Sequence, residues 1–238
     1  MTFKDLIDKG YFGFNYDKVD NWNTIFLICV IACAIVAYFL GSINFGVIIS
    51  KDRYGKDIRE SGSGNAGATN MLRTYGKKAA ILTFLGDAAK TALAVILGRF
   101  SIGYTGAFIA GLFCIIGHAY PIFFRFKGGK GVVCISTMCL LTNPGVFLIM
   151  LGIFLIVLFG FKMVSLASVM IMLTYPFVLY NIGSKGPGLH VALGALSALF
   201  IIYLHRENIK RIYNHKESTI SFGKKKDKKE NKSYMDED

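Results

Sequence analysis

A stretch of small and amide residues, 60–73, interrupts a very apolar chain, and its composition suits the binding of an anion. It holds three glycines, several small hydroxyl residues and two asparagines, with Arg73 at its end. Small residues let the backbone approach a ligand closely, and successive N–H groups in such turns form an anion-binding concavity. The same composition is typical of a flexible linker between two membrane spans. Composition alone leaves both interpretations open.

A second polar stretch, 117–131, contains glycines on both sides of a lysine, in the sequence Gly128-Gly129-Lys130-Gly131. Glycine-rich loops with a lysine commonly bind phosphate, although the GxxxxGK[ST] pattern of a Walker loop is absent here. A basic cap on the cytoplasmic end of a membrane helix is the alternative interpretation. Taken with the first stretch, the second indicates another wall of an anion site.

The third polar stretch, 205–217, has His205 and Asn208 three residues apart. They therefore share a face of any helix that continues through them, and Arg211 extends that face. Glu217 closes the stretch. On its own, this pattern is also typical of an amphipathic helix on a membrane surface.

Further polar residues lie in or beside apolar runs. Asp87 and Lys90 have the i, i+3 spacing of an intramembrane ion pair that faces the interior of a helix bundle. A structural role for this pair is at least as well supported as a catalytic one. Ser165 and Ser168 share a helix face beside Lys162, and serines in membrane helices are usually packing residues.

The elements that position these residues are predicted to be membrane helices. Of 238 residues, 53% are hydrophobic and 18% charged, against about 25% charged in a soluble domain. The charges cluster and leave long apolar runs, which is typical of a polytopic membrane protein. The formal charge of +12 indicates cytoplasmic loops that follow the positive-inside rule, so we expect no nucleic-acid partner. The five cysteines lie in apolar runs without zinc spacing, and we predict no metal site.

We predict the fold class as an all-α polytopic integral membrane protein with about seven transmembrane helices, some of them short or kinked. Residues 41–46 contain two glycines and a polar pair, which predicts a kink in the first helix. The seven apolar segments are 24–49, 79–97, 104–120, 132–141, 146–161, 164–181 and 189–204.

The distribution of lysine and arginine predicts the topology. Seven of these residues flank or lie in the first polar stretch, which places it in the cytoplasm. If segment 132–141 crosses the membrane, the other basic loops also lie inside, the N-terminus is outside and the C-terminus is cytoplasmic. That segment spans only part of a hydrocarbon core of roughly 30 Å, which is acceptable if other helices shield it. The predicted organisation is an extracellular interfacial segment (1–23), a seven-helix membrane catalytic domain (24–205), a cytoplasmic motif segment (206–217) and a disordered tail (218–238).

The three polar stretches together resemble the bacterial acyl-phosphate:glycerol-3-phosphate acyltransferases, the PlsY family. The family pattern SGSGNxGATNxxR matches residues 61–73, GHxxPxFxxFKGGKGV matches 117–132, and HxxNIxR with a later glutamate matches 205–217. Two departures are Asn44, where the family often has proline, and His215, where it usually has glycine.

The resemblance implies a seven-helix enzyme of the bacterial cell membrane whose active site faces the cytoplasm. It implies transfer of a fatty acyl group from acyl phosphate to the sn-1 hydroxyl of glycerol 3-phosphate, which gives lysophosphatidate and phosphate in the first committed step of phospholipid synthesis. The implied partners are these two small molecules and the membrane lipids, without a metal or other cofactor. The oligomeric state is left open, a monomer included.

The two phosphate-bearing substrates divide the candidate site residues into two groups. Those assigned to glycerol 3-phosphate are Arg73, Lys130, His205 and Asn208, with Ser165 or Ser168 as a helper. Those assigned to the acyl-phosphate end are Ser63, Gly64, Asn65, Thr69, Asn70, Gly128 and Gly129. Backbone N–H groups around Gly64 and at Gly128 and Gly129 are expected to be neutral donors to phosphate.

The identity of the general base is left open among three groups. Soluble-type glycerolipid acyltransferases use an HxxxxD pair, and none of the four histidines here has an aspartate at that spacing. The base is therefore His205, Glu217 or the substrate phosphate, and the resemblance favours the phosphate. A membrane transporter of a phosphorylated metabolite is the alternative function, but we see no internal repeat and the polar residues gather at one face.

Overall fold

The computed structural model describes residues 5, 8–11, 21–183 and 188–220, and this part of the chain is helical without any strand. Its α-helices are α1 (Trp22–Ser42), α2 (Phe45–Tyr54), α3 (Ala68–Tyr75), α4 (Lys77–Ala119), α5 (Val132–Thr142), α6 (Pro144–Phe161), α7 (Val164–Val178), α8 (Leu189–Leu204) and α9 (Arg206–Tyr213). Short 3₁₀ turns at Ile58–Glu60 and Ile122–Phe124 and a π-turn at Leu179–Gly183 complete the described elements.

The kink predicted in the first apolar segment is confirmed as a break between α1 and α2. Ile43 and Asn44 have extended backbone angles. The Asn44 side chain accepts a hydrogen bond from the Val47 N–H at 3.2 Å, so it caps the first turn of α2. Asn44 therefore starts the second helix by capping it.

The long helix α4 consists of two antiparallel arms, as the predicted segments 79–97 and 104–120 require. Helical geometry is lost at Ile102 and Gly103, and Gly103 has a φ of 65°. A methyl group built on Gly98 would lie 2.3 Å from the carbonyl oxygen of Gly106. In a straight helix these residues would be about 12 Å apart. The chain therefore doubles back, and the two arms pack backbone to backbone through glycines.

The short helix α5 lies at the centre of the main apolar core. Its residues Ile135 and Met138 are fully buried, and they pack among the second arm of α4, α6, α7 and α8. Its eleven residues reach about 16 Å at 1.5 Å per residue. The other helices enclose this segment, which meets the shielding condition set out for a short membrane helix.

Four helical stretches are long and apolar enough to cross a membrane: Trp22–Tyr54, Lys77–Phe124, Pro144–Phe161 and Val164–Gly183. A fifth is obtained if α8 and α9 count as one span, although they are bent by 56° at His205. Large apolar side chains on the outside of the bundle, such as Ile156 and Phe177, are about three-quarters exposed. The predictions for most of 1–20 and for 221–238 concern residues outside the described part of the chain.

Candidate functional site

A cavity of about 360 Å³ joins the three polar stretches to the apolar core. The predicted site residues that line it are Ser63, Asn65, Thr69, Asn70, Arg73, Lys130, Ser165, Ser168, His205, Asn208 and Glu217. Residues more than 150 positions apart in sequence thus meet at one site. Gly64, Gly128 and Gly129 are not part of this lining, and their contacts give them other roles.

The side chain of Asn70 organises the first polar stretch (60–73), which forms the first loop. Its Nδ2 donates to the carbonyls of Ile58, Ser61 and Asn65 at 3.2, 2.9 and 2.9 Å, and its Oδ1 accepts from the Ser63 N–H at 2.9 Å. Asn70 is 2% exposed. These hydrogen bonds show that the Asn70 amide shapes the loop, and its assignment to the acyl-phosphate end stays a prediction.

The free backbone donors of the first loop lie at the start of α3, which corrects the expectation for Ser63 and Gly64. The Ser63 N–H donates to Asn70, and the Gly64 N–H donates to the Ser61 carbonyl at 3.1 Å. Helix α3 begins at Ala68 after Gly67, and no side chain caps it. The first N–H groups of a helix have no partner within it, and such a terminus attracts anions. Gly67, Ala68 and Thr69 all line the cavity.

The glycines of the second loop hold that loop against the end of α4, which corrects the expectation that they donate to phosphate. The Gly128 N–H donates to the Ala119 carbonyl and the Gly129 N–H to the His118 carbonyl, both at 3.0 Å. A methyl group on Gly128 would lie 2.0 Å from the His118 carbonyl oxygen. Only glycine allows the loop backbone to approach the end of α4 this closely. This close approach fixes the position of the loop that carries Lys130.

Asp57 and Arg59 join the first two loops, a role that the sequence reasoning missed. Arg59 Nε and Nη2 donate to the Asp57 carboxylate at 2.9 and 2.6 Å. Arg59 Nη1 donates to the carbonyls of Phe124 and Lys127 at 2.6 and 2.8 Å. The hydrogen bonds from Arg59 hold the pKa of Asp57 well below its usual range. The sequence signal is the D-x-R spacing just before the first loop, whose partners lie more than 60 residues away.

The third stretch connects Lys130 to Glu217 through Asn208. Lys130 Nζ donates to Asn208 Oδ1, and Asn208 Nδ2 donates to Glu217 Oε1 at 2.8 Å. Ser165 Oγ also donates to Oε1 at 2.8 Å, and Arg211 Nε donates to Oε2 at 2.7 Å. The Glu217 carboxylate therefore orients three side chains from α7 and α9 directly, and Lys130 indirectly through Asn208.

Two ionisable groups of this network have shifted pKa values. Burial and the positive charges of Arg211 and Arg73 lower the pKa of Lys130 to about 8, against an opposing effect of Glu217. Burial raises the pKa of Glu217, but the hydrogen bonds from Arg211, Asn208 and Ser165 outweigh it, and the net pKa is lowered. Glu217 is thus held as a carboxylate and is a weaker base than an ordinary glutamate.

His205 lies at the bend between α8 and α9 and keeps one ring nitrogen available. Its Nδ1 lies 2.8 Å from the Ile201 carbonyl, an acceptor, so Nδ1 carries a proton. In the neutral ring Nε2 is then an acceptor. His205 lines the same cavity as Arg73, whose guanidinium makes a weak 3.4 Å contact with the Ser218 carbonyl.

The two ends of the cavity differ in chemistry. The lining has two carboxylates, Asp87 and Glu217, and each is paired with a cation, Lys90 and Arg211. Arg73 and Lys130 are then left in excess at the loop end, which favours an anion. The opposite end is lined by apolar side chains of α5, α6 and α7: Val133, Ile135, Phe147, Met150, Phe154, Met172 and Tyr175. Along α7, Ser165 and Tyr175 are separated by about 15 Å. The cavity matches an amphipathic ligand with a phosphate head and a long apolar chain.

The comparisons with known proteins agree with this geometry. Residues 31–215 match the family model described as glycerol-3-phosphate acyltransferase. The chain is 39% identical over 186 residues to the glycerol-3-phosphate acyltransferase of Alkaliphilus metalliredigens, covering 78% of this chain and 93% of that one. It is 41% identical over 203 residues to the corresponding enzyme of Clostridioides difficile, covering 83% and 97%. The chain therefore belongs to the glycerol-3-phosphate acyltransferase family.

Solved structures with the same fold are those of PlsY (YgiH), an integral membrane glycerol 3-phosphate acyltransferase. Its glycerol 3-phosphate form superposes with a TM-score of 0.75 at 35% identity, covering 81% of this chain and 96% of that one. Its lysophosphatidic acid form gives a TM-score of 0.72 at 33% identity, covering 81% and 95%. The resemblance inferred from the three motifs is confirmed.

Proposed function

We propose that this protein transfers a fatty acyl group from acyl phosphate to the sn-1 hydroxyl of glycerol 3-phosphate. The observation that carries the proposal is the single cavity that joins a cationic, amide-lined end to an apolar chamber. Relatives with this fold bear the name glycerol-3-phosphate acyltransferase, and PlsY has been crystallised in glycerol 3-phosphate and lysophosphatidic acid forms. Acyl phosphate has both features that the cavity accommodates.

Glycerol 3-phosphate is assigned to Arg73, Lys130, His205 and Asn208. Arg73 can grip a phosphate with two parallel hydrogen bonds, and Lys130 adds a point charge. Asn208 holds Lys130 in place through its Oδ1. His205 and the cavity-facing Ser168 are within the same wall and are available to the glycerol hydroxyls.

The phosphate of the donor is assigned to the start of α3, with Ser63, Asn65 and Thr69 around it. The acyl chain then extends into the chamber between α5, α6 and α7. This arrangement holds the acyl carbonyl between the two phosphates, where proximity supplies most of the rate.

The chemical step is an attack of the sn-1 hydroxyl oxygen on the acyl carbonyl carbon. A new ester C–O bond forms, the bond between the carbonyl carbon and the phosphate oxygen breaks, and inorganic phosphate leaves. The hydroxyl proton passes to the departing phosphate, and His205 Nε2 is the protein alternative, since His205 lines the same cavity. Glu217 is assigned an orienting role, because its oxygens already accept three hydrogen bonds.

The proposed topology has seven membrane crossings, with α5 as the short one and the cavity mouth at the cytoplasmic face of a bacterial plasma membrane. It is supported by the antiparallel arms of α4, the enclosed position of α5 and the lysine and arginine residues around the polar loops. Labelling of single cysteines introduced at Lys56 and Lys185, in a variant whose five native cysteines are replaced by alanine, in intact cells and in inverted vesicles tests it. Reaction of both positions from the same side would contradict seven crossings.

A donor comparison tests the activity. Purified protein in detergent is incubated with glycerol 3-phosphate and palmitoyl phosphate, palmitoyl-CoA or palmitoyl acyl carrier protein, and lysophosphatidate and phosphate are quantified. We expect product with palmitoyl phosphate alone. Lys130→Ala and Arg73→Ala should keep the wild-type melting temperature and lose most of the turnover. Glycerol 3-phosphate flux into liposomes without any product would favour the transporter instead.

A further inference from the structure

Asp87, Lys90 and His118 form a buried charged cluster to which the proposed reaction gives no role, although Asp87 and His118 belong to the lining of the cavity. They are 1%, 5% and 3% exposed. Lys90 Nζ lies 3.0 Å from Asp87 Oδ1 and 2.9 Å from His118 Nδ1, and Asp87 Oδ1 lies 3.6 Å from His118 Nδ1. A buried charge inside a membrane domain is costly and is retained where it has a function.

Lys90 fastens this cluster to the break between α1 and α2. Its Nζ donates to the carbonyls of Gly41 and Ile43 at 2.9 and 2.6 Å. The last carbonyls of a helix have no partner within it, so the ammonium caps the end of α1. An ammonium has three donors, and the third points to His118 Nδ1, while Asp87 supplies the balancing charge.

His118 connects Lys90 to the glycine loop, the part of the second polar stretch at 128–131. Because an ammonium has no lone pair, His118 Nδ1 accepts the hydrogen bond and the ring proton lies on Nε2. The Nε2 edge faces the loop: a methyl group built on Gly129 would lie 2.0 Å from Nε2, and its three nearest atoms all belong to this ring. The Gly129 N–H also donates to the His118 carbonyl. The imidazole therefore fills the space between Lys90 and the residue that precedes Lys130.

We propose that Asp87, Lys90 and His118 are positioning residues that set the place of the glycine loop and, through it, of the Lys130 ammonium. The cluster acts through Lys130 and takes no proton in the reaction. This proposal rests on the proposed function, since the purpose of the cluster is to keep Lys130 within reach of Asn208 and of the phosphate of glycerol 3-phosphate. Gly129 and Lys130 are adjacent, so a shift of the ring contact is transmitted directly to the ammonium.

A double-mutant cycle between His118 and Gly129 tests the contact. Gly129→Ala places a methyl group on the imidazole, and we expect it to raise the KM for glycerol 3-phosphate about tenfold, since a misplacement of about 1 Å can cost about 100-fold. We expect His118→Ala to raise this KM several-fold, with a smaller effect on kcat. The double variant removes the overlap, so its KM should be no higher than that of Gly129→Ala alone. Independent sites would instead multiply the two effects.

His190→Ala is the matched control. His190 is partly buried, contacts Thr105 Oγ1 at 3.3 Å and lies about 22 Å along α8 from His205. It should leave the KM unchanged. A second variant, Lys90→Arg, keeps the charge and the donors, and it should retain more affinity for glycerol 3-phosphate than Lys90→Met, which leaves the buried Asp87 carboxylate without its cation.

The dissociation constant of glycerol 3-phosphate, measured by calorimetry on the same variants, separates the two proposals. If the wild type binds this ligand but makes no product, the acyl-transfer proposal fails. The double-mutant cycle between His118 and Gly129 can then still be evaluated from the dissociation constants. Multiplicative effects of His118→Ala and Gly129→Ala, or a wild-type affinity in His118→Ala, would overturn the positioning role. Absence of glycerol 3-phosphate binding by the wild type would overturn both.

Discussion

The hydroxyl of Ser165 donates a hydrogen bond to Glu217 Oε1 at 2.8 Å, and this bond ties the segment after α9 to the first turn of α7. The same carboxylate accepts hydrogen bonds from Asn208 and Arg211. It therefore connects Ser165 in the cavity wall to Asn208, the residue that holds Lys130. A carboxylate with this many donors is built to orient them. This orienting role distinguishes Glu217 from His205 and the substrate phosphate, the other two candidates for the general base.

Glu217→Gln tests that distinction. The amide keeps the shape but loses the charge, and we expect the free energy of unfolding to fall by about 1.5–3 kcal/mol, as for hydrogen bonds to charged groups. Turnover should remain within about tenfold of the wild type, because loss of a true general base costs about 100-fold or more. Chemical denaturation and single-turnover kinetics measure the two effects.

The pH dependence of stability gives a check on the same residue. The folded pKa of Glu217 is lowered from an ordinary value of 4.5, so its contribution is complete above that value and is lost as the pH falls through the folded pKa. The Gln variant should be least distinguishable from the wild type in acid. A deficit that grew in acid would contradict the orienting role.

Lys130 makes the affinity for glycerol 3-phosphate depend on pH. Burial and the neighbouring Arg211 and Arg73 lower its pKa to about 8, so the free enzyme loses the ammonium as the pH rises through that value. We expect kcat/KM for glycerol 3-phosphate to fall on this alkaline limb, since this parameter reports groups of the free enzyme. Lys130→Arg, which stays charged, should lose activity overall but should no longer show the limb near pH 8. A limb that persists unchanged in this variant belongs to another group.

Local motifs, combined with the distribution of lysine and arginine and with the resemblance to the family, were sufficient to predict which stretches meet. The three motifs located the walls of the cavity, Gly41 and Gly46 marked the break between α1 and α2, and the separate apolar segments 79–97 and 104–120 predicted the two arms of α4. These features depend on residue types that are close in sequence. They are therefore visible without the fold.

The partners of individual polar atoms were not predictable in the same way. The N–H groups of Gly128 and Gly129 look free in the sequence, but the end of α4 occupies them. Arg59 looks like one of several basic loop residues, yet its hydrogen bonds to Phe124 and Lys127 span more than 60 residues. Such contacts depend on tertiary approach, which no local spacing records.

His215 stands where the resemblance to the family leads us to expect glycine, and its backbone conformation favours glycine. Its φ is 53°, in the left-handed region that a side chain disfavours. We expect His215→Gly to raise the free energy of unfolding by about 0.5–1 kcal/mol, the steric gain less the entropy of the freer unfolded chain. His215→Ala is the control, because it keeps the steric cost. A lower melting temperature for the glycine variant would show that the His215 side chain contributes more than its backbone strain costs.

Tyr175 is expected to limit the length of the acyl chain. It lines the apolar end of the cavity, is 1% exposed, and its hydroxyl has no hydrogen-bond partner among the described residues. Tyr175→Ala removes the ring and deepens the chamber toward Gly194, whose added methyl would lie 3.3 Å from the Tyr175 ring. We therefore expect the ratio of kcat/KM for stearoyl phosphate to that for myristoyl phosphate to rise several-fold.

Tyr175→Phe keeps the ring and should leave the ratio unchanged, without loss of stability because the hydroxyl it removes is unpaired. Tyr180→Ala, an exposed tyrosine after the same helix, controls for an effect of the detergent. An unchanged ratio in Tyr175→Ala would place the end of the acyl chain elsewhere in the cavity.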